Sequence, residues 1–113
     1  MLSPATSIDR SLAALAHPVR RAIVDRLRDG ELTVGEISAP YAMKKPTFSR
    51  HLKILEHAGL VARRVRGRQH YCRLRGERLQ ELRTWLERYE RFWTAQLDSL
   101  DDHLARRASR DPE

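Results

Sequence analysis

Cysteine is almost missing from this chain. Cys72 stands alone among 113 residues, so no disulfide can form within one copy. That agrees with a reducing compartment and predicts a cytoplasmic protein. Long apolar runs are missing too. No stretch approaches the ~20 residues needed to span a bilayer, so no membrane segment is expected. Residues 1–7 lack a basic region followed by an apolar run, so no signal peptide is expected. The five glycines form no phosphate-cradling loop, and no nucleophile elbow occurs. Ser49 and His51 lie two apart on one helix and point to different faces, so they are not a nucleophile–base pair. An enzyme is therefore not expected, and no catalytic residue or cofactor is assigned. Internal repeats and low-complexity linkers are absent as well.

Acidic residues are outnumbered. Twenty-two Lys and Arg face 15 Asp and Glu, leaving a net charge of +7. That balance favours polyanionic partners, nucleic acid ahead of an anionic membrane. The length suits one domain with a modest core.

The pattern along the chain is helical with one basic interruption. Residues 1–6 read as a short flexible lead. Ser7 can cap a first helix with Ile8, Leu12, Leu15 and Ala16 on one face. Pro18 fits the first turn of a second helix, with Val19, Ile23 and Leu27 at four-residue steps up to Asp29-Gly30. Thr33 and Glu36 form a capping box for a short third helix that points Val34, Ile37 and Tyr41 inward, and Pro40 shortens it.

Residues 44–61 carry the strongest signal. Phe48, Leu52 and Leu55 share one helix face, while Pro46, Arg50, Lys53 and His57 lie near the opposite one. Gly59 supplies the left-handed residue that stops the helix. Residues 60–65 and 69–74 then read as two strands joined at Gly67, dense in arginine. From Gly76 to about residue 105, Leu79, Leu82, Leu86, Tyr89, Trp93, Leu97, Leu100 and Leu104 recur at spacings of three and four, a near-heptad seam widened by Trp85 and Phe92. Residues 106–113 read as a polar, fraying tail.

This order predicts a mainly α protein with a small β-hairpin: a winged helix-turn-helix of the form ααααββα, one domain over residues 7–105. The third and fourth helices form the helix-turn-helix, whose second member reads a major groove with its N-terminal residues. The candidate DNA contacts are Lys44, Lys45, Pro46, Thr47, Ser49, Arg50 and Lys53 on the helix, with Arg64, Arg66 and Arg68 on the wing. The seam would be a large apolar surface to leave in water. Leu12, Leu15, Leu86, Tyr89, Trp93, Leu97 and Leu100 are therefore the candidate interface of a homodimer, and two copies about a two-fold axis would read paired half-sites.

The runs HPVRRAIVDRLRDGELTVGEIS (17–38) and PTFSRHLKILEHAGLVARRVRGRQHYCRL (46–74) resemble the winged-helix repressors of the ArsR/SmtB type. APYAM (39–43) and WLERYERFWTAQLDSLDDHL (85–104) are similar to one branch of that family. The resemblance spans about residues 12–104. It implies a homodimer that binds a pseudo-palindromic operator as a repressor, with recognition positions at Lys45, Pro46, Ser49 and Arg50. Proline in that set donates no hydrogen bond, so its contact would be apolar.

Metal-sensing members of the family carry a cysteine pair near the third helix. The matching residues 31–36 hold none, which excludes a thiolate site there. Others hold zinc or nickel on the last helix, where this chain offers Asp98, Asp101, Asp102 and His103. One histidine per subunit is thin for such a site, so no metal is assigned. Cys72 reads as a buried thiol, with a redox switch as the alternative. His51, on the flank of the basic helix, reads as a phosphate contact or as one end of a local hydrogen bond. A metal- or ligand-responsive sensor of the same fold that uses the dimer-helix region stays open, as does a winged helix used for protein–protein assembly.

Overall fold

The computed structural model describes residues 6–110. Their order is α1 (Ser7–Leu15), α2 (Pro18–Arg26), a 3₁₀ turn (Leu27–Asp29), β1 (Leu32–Thr33), α3 (Val34–Ser38), α4 (Lys45–His57), β2 (Val61–Arg66), β3 (Gln69–Leu74), α5 (Gly76–Glu87) and α6 (Glu90–Arg110). This is a winged helix-turn-helix, with two departures from the expected order: an added strand, and a terminal helix in two pieces. The described residues fall into two compact units that divide between Leu82 and Arg83.

The first unit holds the core. Ile23, Leu27, Ile37, Phe48, Leu52, Leu55, Leu60, Val61 and Cys72 pack in one buried cluster. Phe48, Leu52 and Leu55 are the predicted back of α4. On α1 the expected apolar face is turned by about one position. Ser11 and Ala14 are buried, while Leu12 is 42% exposed and Ala16 lies in solvent. Small side chains let α1 approach α2 and α4 closely. Leu15, expected at a dimer interface, is half-buried and packs against this core.

Caps decide where the helices begin. Thr6, expected in the flexible lead, is the N-cap of α1. Its hydroxyl accepts from the Asp9 N–H, and the Asp9 carboxylate accepts from the Thr6 N–H. Ser7 Oγ instead donates to Glu81 at 2.8 Å, tying α1 to α5. Residues 1–5 lie outside the described residues. Thr33 and Glu36 make the capping box of α3 as predicted, and α3 stops at Ser38, short of Pro40. α4 closes with a Schellman motif: Gly59 N–H donates to the Glu56 carbonyl and Leu60 N–H to that of Leu55, both at 3.0 Å. Gly59 sits at φ +78°, and a Cβ there would lie 3.2 Å from the Arg78 side chain.

The sheet has strand order β1-β3-β2, antiparallel throughout. β1 was not expected. It pairs Leu32 with Cys72 and Thr33 with Tyr71, joining the helix-turn-helix to the wing. Arg66 pairs with Gln69, so the wing turns in two residues with Gly67 at φ +63°. Cys72 is fully buried on the inner face, and burial pushes its thiol pKa up, away from the reactive thiolate.

Arginines of α2 fasten the helices to one another. Arg20 Nε donates to the Ala14 carbonyl at 2.6 Å and Arg21 Nη1 to that of Leu15 at 2.8 Å, satisfying the open end of α1. Arg26 Nη1 donates to the carbonyls of Glu36 and Ile37, each at 2.8 Å. This clamp sets where α3 lies. Arg26→Ala is predicted to lower unfolding stability by about 1.5–3 kcal/mol in urea titrations, with Arg26→Lys recovering part of it.

The second unit contains the end of α5 and all of α6. The expected single helix is interrupted at Arg88 and Tyr89, where Arg88 N–H donates to Trp85 and Tyr89 N–H to Leu86 in three-residue steps. No proline or glycine marks the break. α6 then continues to Arg110, so residues 106–110 of the expected fraying tail are helical, and 111–113 lie outside the described residues. Among the described residues, no helix is long and apolar enough to cross a membrane.

Candidate nucleic-acid interface

Of α1 to α4, only α4 begins without a side-chain cap. Lys44 is its N-cap, Pro46 lies in its first turn, and that turn holds no acidic residue. The first-turn N–H groups therefore stay open, and the helix dipole adds positive potential there. Lys44, Lys45, Pro46, Thr47, Arg50 and Lys53 are exposed, and Ser49 is half-buried. The side chains of Lys44, Lys45, Arg50 and Lys53 make no hydrogen bond or ion pair within the described residues, leaving four cations open at the cap and along the front of α4.

The other flank is occupied. His51, for which the sequence left open a phosphate contact or a local hydrogen bond, is buried on the core side of α4 and makes the hydrogen bond. Its Nδ1 accepts from Arg20 Nη1 at 3.3 Å, since a guanidinium can only donate. Its ring lies 4.5 Å from that of His17, whose own Nδ1 accepts from the Val19 N–H and caps α2. Burial, then the neighbouring His17, Arg20 and Arg50, hold the His51 pKa below the ordinary imidazole value. The unfolded chain therefore takes up a proton that the folded chain refuses. Stability is predicted to be full above the unfolded pKa of about 6.5 and to fall as pH drops below it. Urea midpoints between pH 7.5 and 5.5 measure this, and His51→Gln should flatten the slope.

On the wing, Arg66 and Arg68 at the turn are exposed, and their side chains make no hydrogen bond or ion pair within the described residues. Arg64 differs. It makes a bidentate pair with Glu31 at 2.9 and 2.7 Å and lies 4.7 Å from the centre of the Tyr71 ring. Its hydrogen bond to Glu31 lowers the carboxyl pKa and raises that of the guanidinium. Arg63, on the inner face, pairs with Glu56 at 3.0 and 2.9 Å and so joins β2 to the end of α4. Neither partner could be read from spacing. Glu31 lies 33 residues from Arg64, and its side chain reaches it only because β1 joins the sheet.

In the second unit, Leu86, Tyr89, Phe92, Trp93, Leu97, Leu100 and Leu104 are all exposed. Asp98, Asp101, Asp102 and His103 are exposed on α6. Among the described residues, no group of three or more His, Cys, Asp or Glu is placed to hold a metal ion.

A family model described as a helix-turn-helix domain matches residues 15–64. The HTH-type transcriptional regulator Rv2034 of Mycobacterium tuberculosis is 43% identical over 96 residues, covering 85% of this chain and 87% of that protein. Transcriptional repressor SdpR of Bacillus subtilis is 34% identical, over 65% of this chain and 81% of its own. The crystal structure of the ArsR family transcriptional regulator RHA00566 superposes with a TM-score of 0.74 at 31% identity, over 79% of this chain and 98% of that one. The chain belongs to the ArsR family. It is a DNA-binding transcriptional regulator, and the relatives it matches are regulators rather than enzymes. Within this ArsR-family regulator, the matched helix-turn-helix segment contains α2 to α4 and ends at Arg64.

Proposed function

We propose that this protein represses transcription in the cytoplasm as a homodimer, seating one α4 in each half of a pseudo-palindromic operator. The uncapped basic end of α4 carries the reading. Lys44, Lys45, Thr47, Ser49 and Arg50 face the major groove there, Pro46 makes an apolar contact, and Lys53 meets the flanking backbone. Arg66 and Arg68 reach phosphate from the wing. Arg64 braces the wing through Glu31 and Tyr71 rather than gripping DNA.

Exposed Leu86, Tyr89, Trp93, Leu97 and Leu100 support a second copy as the partner, with Leu12 adding to the interface from α1. Two copies about a two-fold axis present half-sites about 34–36 Å apart. The similarity to a repressor from Bacillus subtilis supports the sign of regulation.

A titration of DNA from upstream of the protein's own gene, at several salt concentrations, tests the proposal. Saturable binding that weakens linearly in log–log form, with a slope of about −0.9 per phosphate contacted, is expected. Equal affinity for any sequence at every salt concentration would refute operator recognition.

A further inference from the structure

We propose that the hollow between α3, α4 and β2 binds a small amphipathic monoanion, an apolar ring system bearing one carboxylate, and that its occupant opposes DNA binding. The cavity measures about 520 Å³, a size typical of small-molecule sites. Its lining is mixed in a telling way. Phe48 and Leu52 close its floor from α4, at 4% and 0% exposed, and half-buried Tyr41 and Met43 give it an apolar wall from the connection after α3. The rings of Tyr41 and Phe48 lie 5.9 Å apart and tilted by 32°, and Met43 adds a polarisable thioether. α3 is only five residues long because Pro40 follows it, so Tyr41 and Met43 come from irregular chain and leave the space unfilled.

The polar groups fix the ligand's charge. Two cations line the hollow, Lys45 and Arg63. Arg63 is already neutralised by its bidentate pair with Glu56. The Lys45 side chain makes no hydrogen bond or ion pair within the described residues, so one free positive charge remains. The Ser49 hydroxyl lies on the same lining. One cation beside aromatic and thioether surface suits a monoanion with an apolar body. The lining holds no carboxylate, thiolate or imidazole, which argues against a metal ion.

The regulatory half rests on the proposed function, because Lys45 and Ser49 are also placed there against the major groove. An occupant that takes the Lys45 charge removes it from DNA, and linkage makes the antagonism mutual.

The test uses the full chain, ¹⁵N-labelled, titrated with 2-naphthoate and with neutral 2-naphthamide. Saturable shifts at the amides of Gly35, Met43 and Ser49 are expected. Lys45→Gln should weaken 2-naphthoate about tenfold and leave 2-naphthamide unchanged. Ser38→Phe, which fills the hollow from α3, should abolish the shifts. If that variant fails to fold, the Lys45→Gln comparison decides. Saturating 2-naphthoate should weaken DNA binding by the same factor that DNA weakens 2-naphthoate. Shifts that are absent, or confined to α6, would overturn the site. Binding in the hollow with DNA affinity unaltered would overturn the antagonism. Naphthoate seated in a protein that binds no operator would leave the site standing and refute the proposed function instead.

Discussion

Leu97→Asp is expected to convert the protein to a monomer and to lower operator affinity by about a hundredfold or more. Leu97 is 58% exposed near the middle of an apolar stripe running from Leu86 to Leu104. Pairing two copies along that stripe would bury it, and an aspartate there would be an unpaired charge in an apolar interface. A penalty of about 3 kcal/mol or more is ordinary for such a group, which is over a hundredfold in an association constant. Operator binding follows, because a lone chain reads one half-site. Sedimentation velocity measures the first effect and a DNA titration the second. Ala95→Asp, 200° away around the helix at about 100° per residue, should leave both unchanged. A dimer that survives Leu97→Asp would place the interface elsewhere.

The second large effect separates reading from gripping. Arg50 is exposed on the front of α4 without a protein partner, one turn beyond the open N-terminus. Arg50→Ala should cost about 1–3 kcal/mol against the preferred base at one position in each half-site and relax preference there. Arg66 lies at the turn of the wing, where a phosphate is the expected partner. Arg66→Ala should weaken all sequences alike and reduce the salt slope by about one. Selection from a randomised operator library distinguishes the two. Unchanged preference in Arg50→Ala would contradict the groove assignment.

What was legible in the sequence was local. The Thr33–Glu36 box, the stop at Gly59 and the buried face Phe48–Leu52–Leu55 each rest on residues within a few positions of one another, where helix geometry alone fixes the partner. The wing strands were legible because Gly67 marks their turn. What escaped depends on distance or on the main chain. β1 is two residues long and pairs with residues about forty positions away. Arg20, Arg21 and Arg26 donate to backbone carbonyls, so no partner residue type announces them.

Charge alone does not tell engaged side chains from open ones. A count of wing arginines treats Arg63 and Arg64 like Arg66 and Arg68, yet carboxylates engage the first two and leave the others uncommitted. His51 stands next to Arg50 in sequence but faces His17 and Arg20 in the core. The helix break at Arg88–Tyr89 had no glycine or proline to betray it. The basic candidates that remain uncommitted are those of the α4 front and the wing turn, a smaller set than sequence offered.

Hydroxyl-radical footprinting of the protein on its operator, paired with a count of chains bound, tests the central claim most directly. The account predicts two protected half-sites centred about one helical turn apart, 10–10.5 base pairs, with two chains on each operator. Protection of a single half-site by one chain, at the affinity of the full operator, would contradict it.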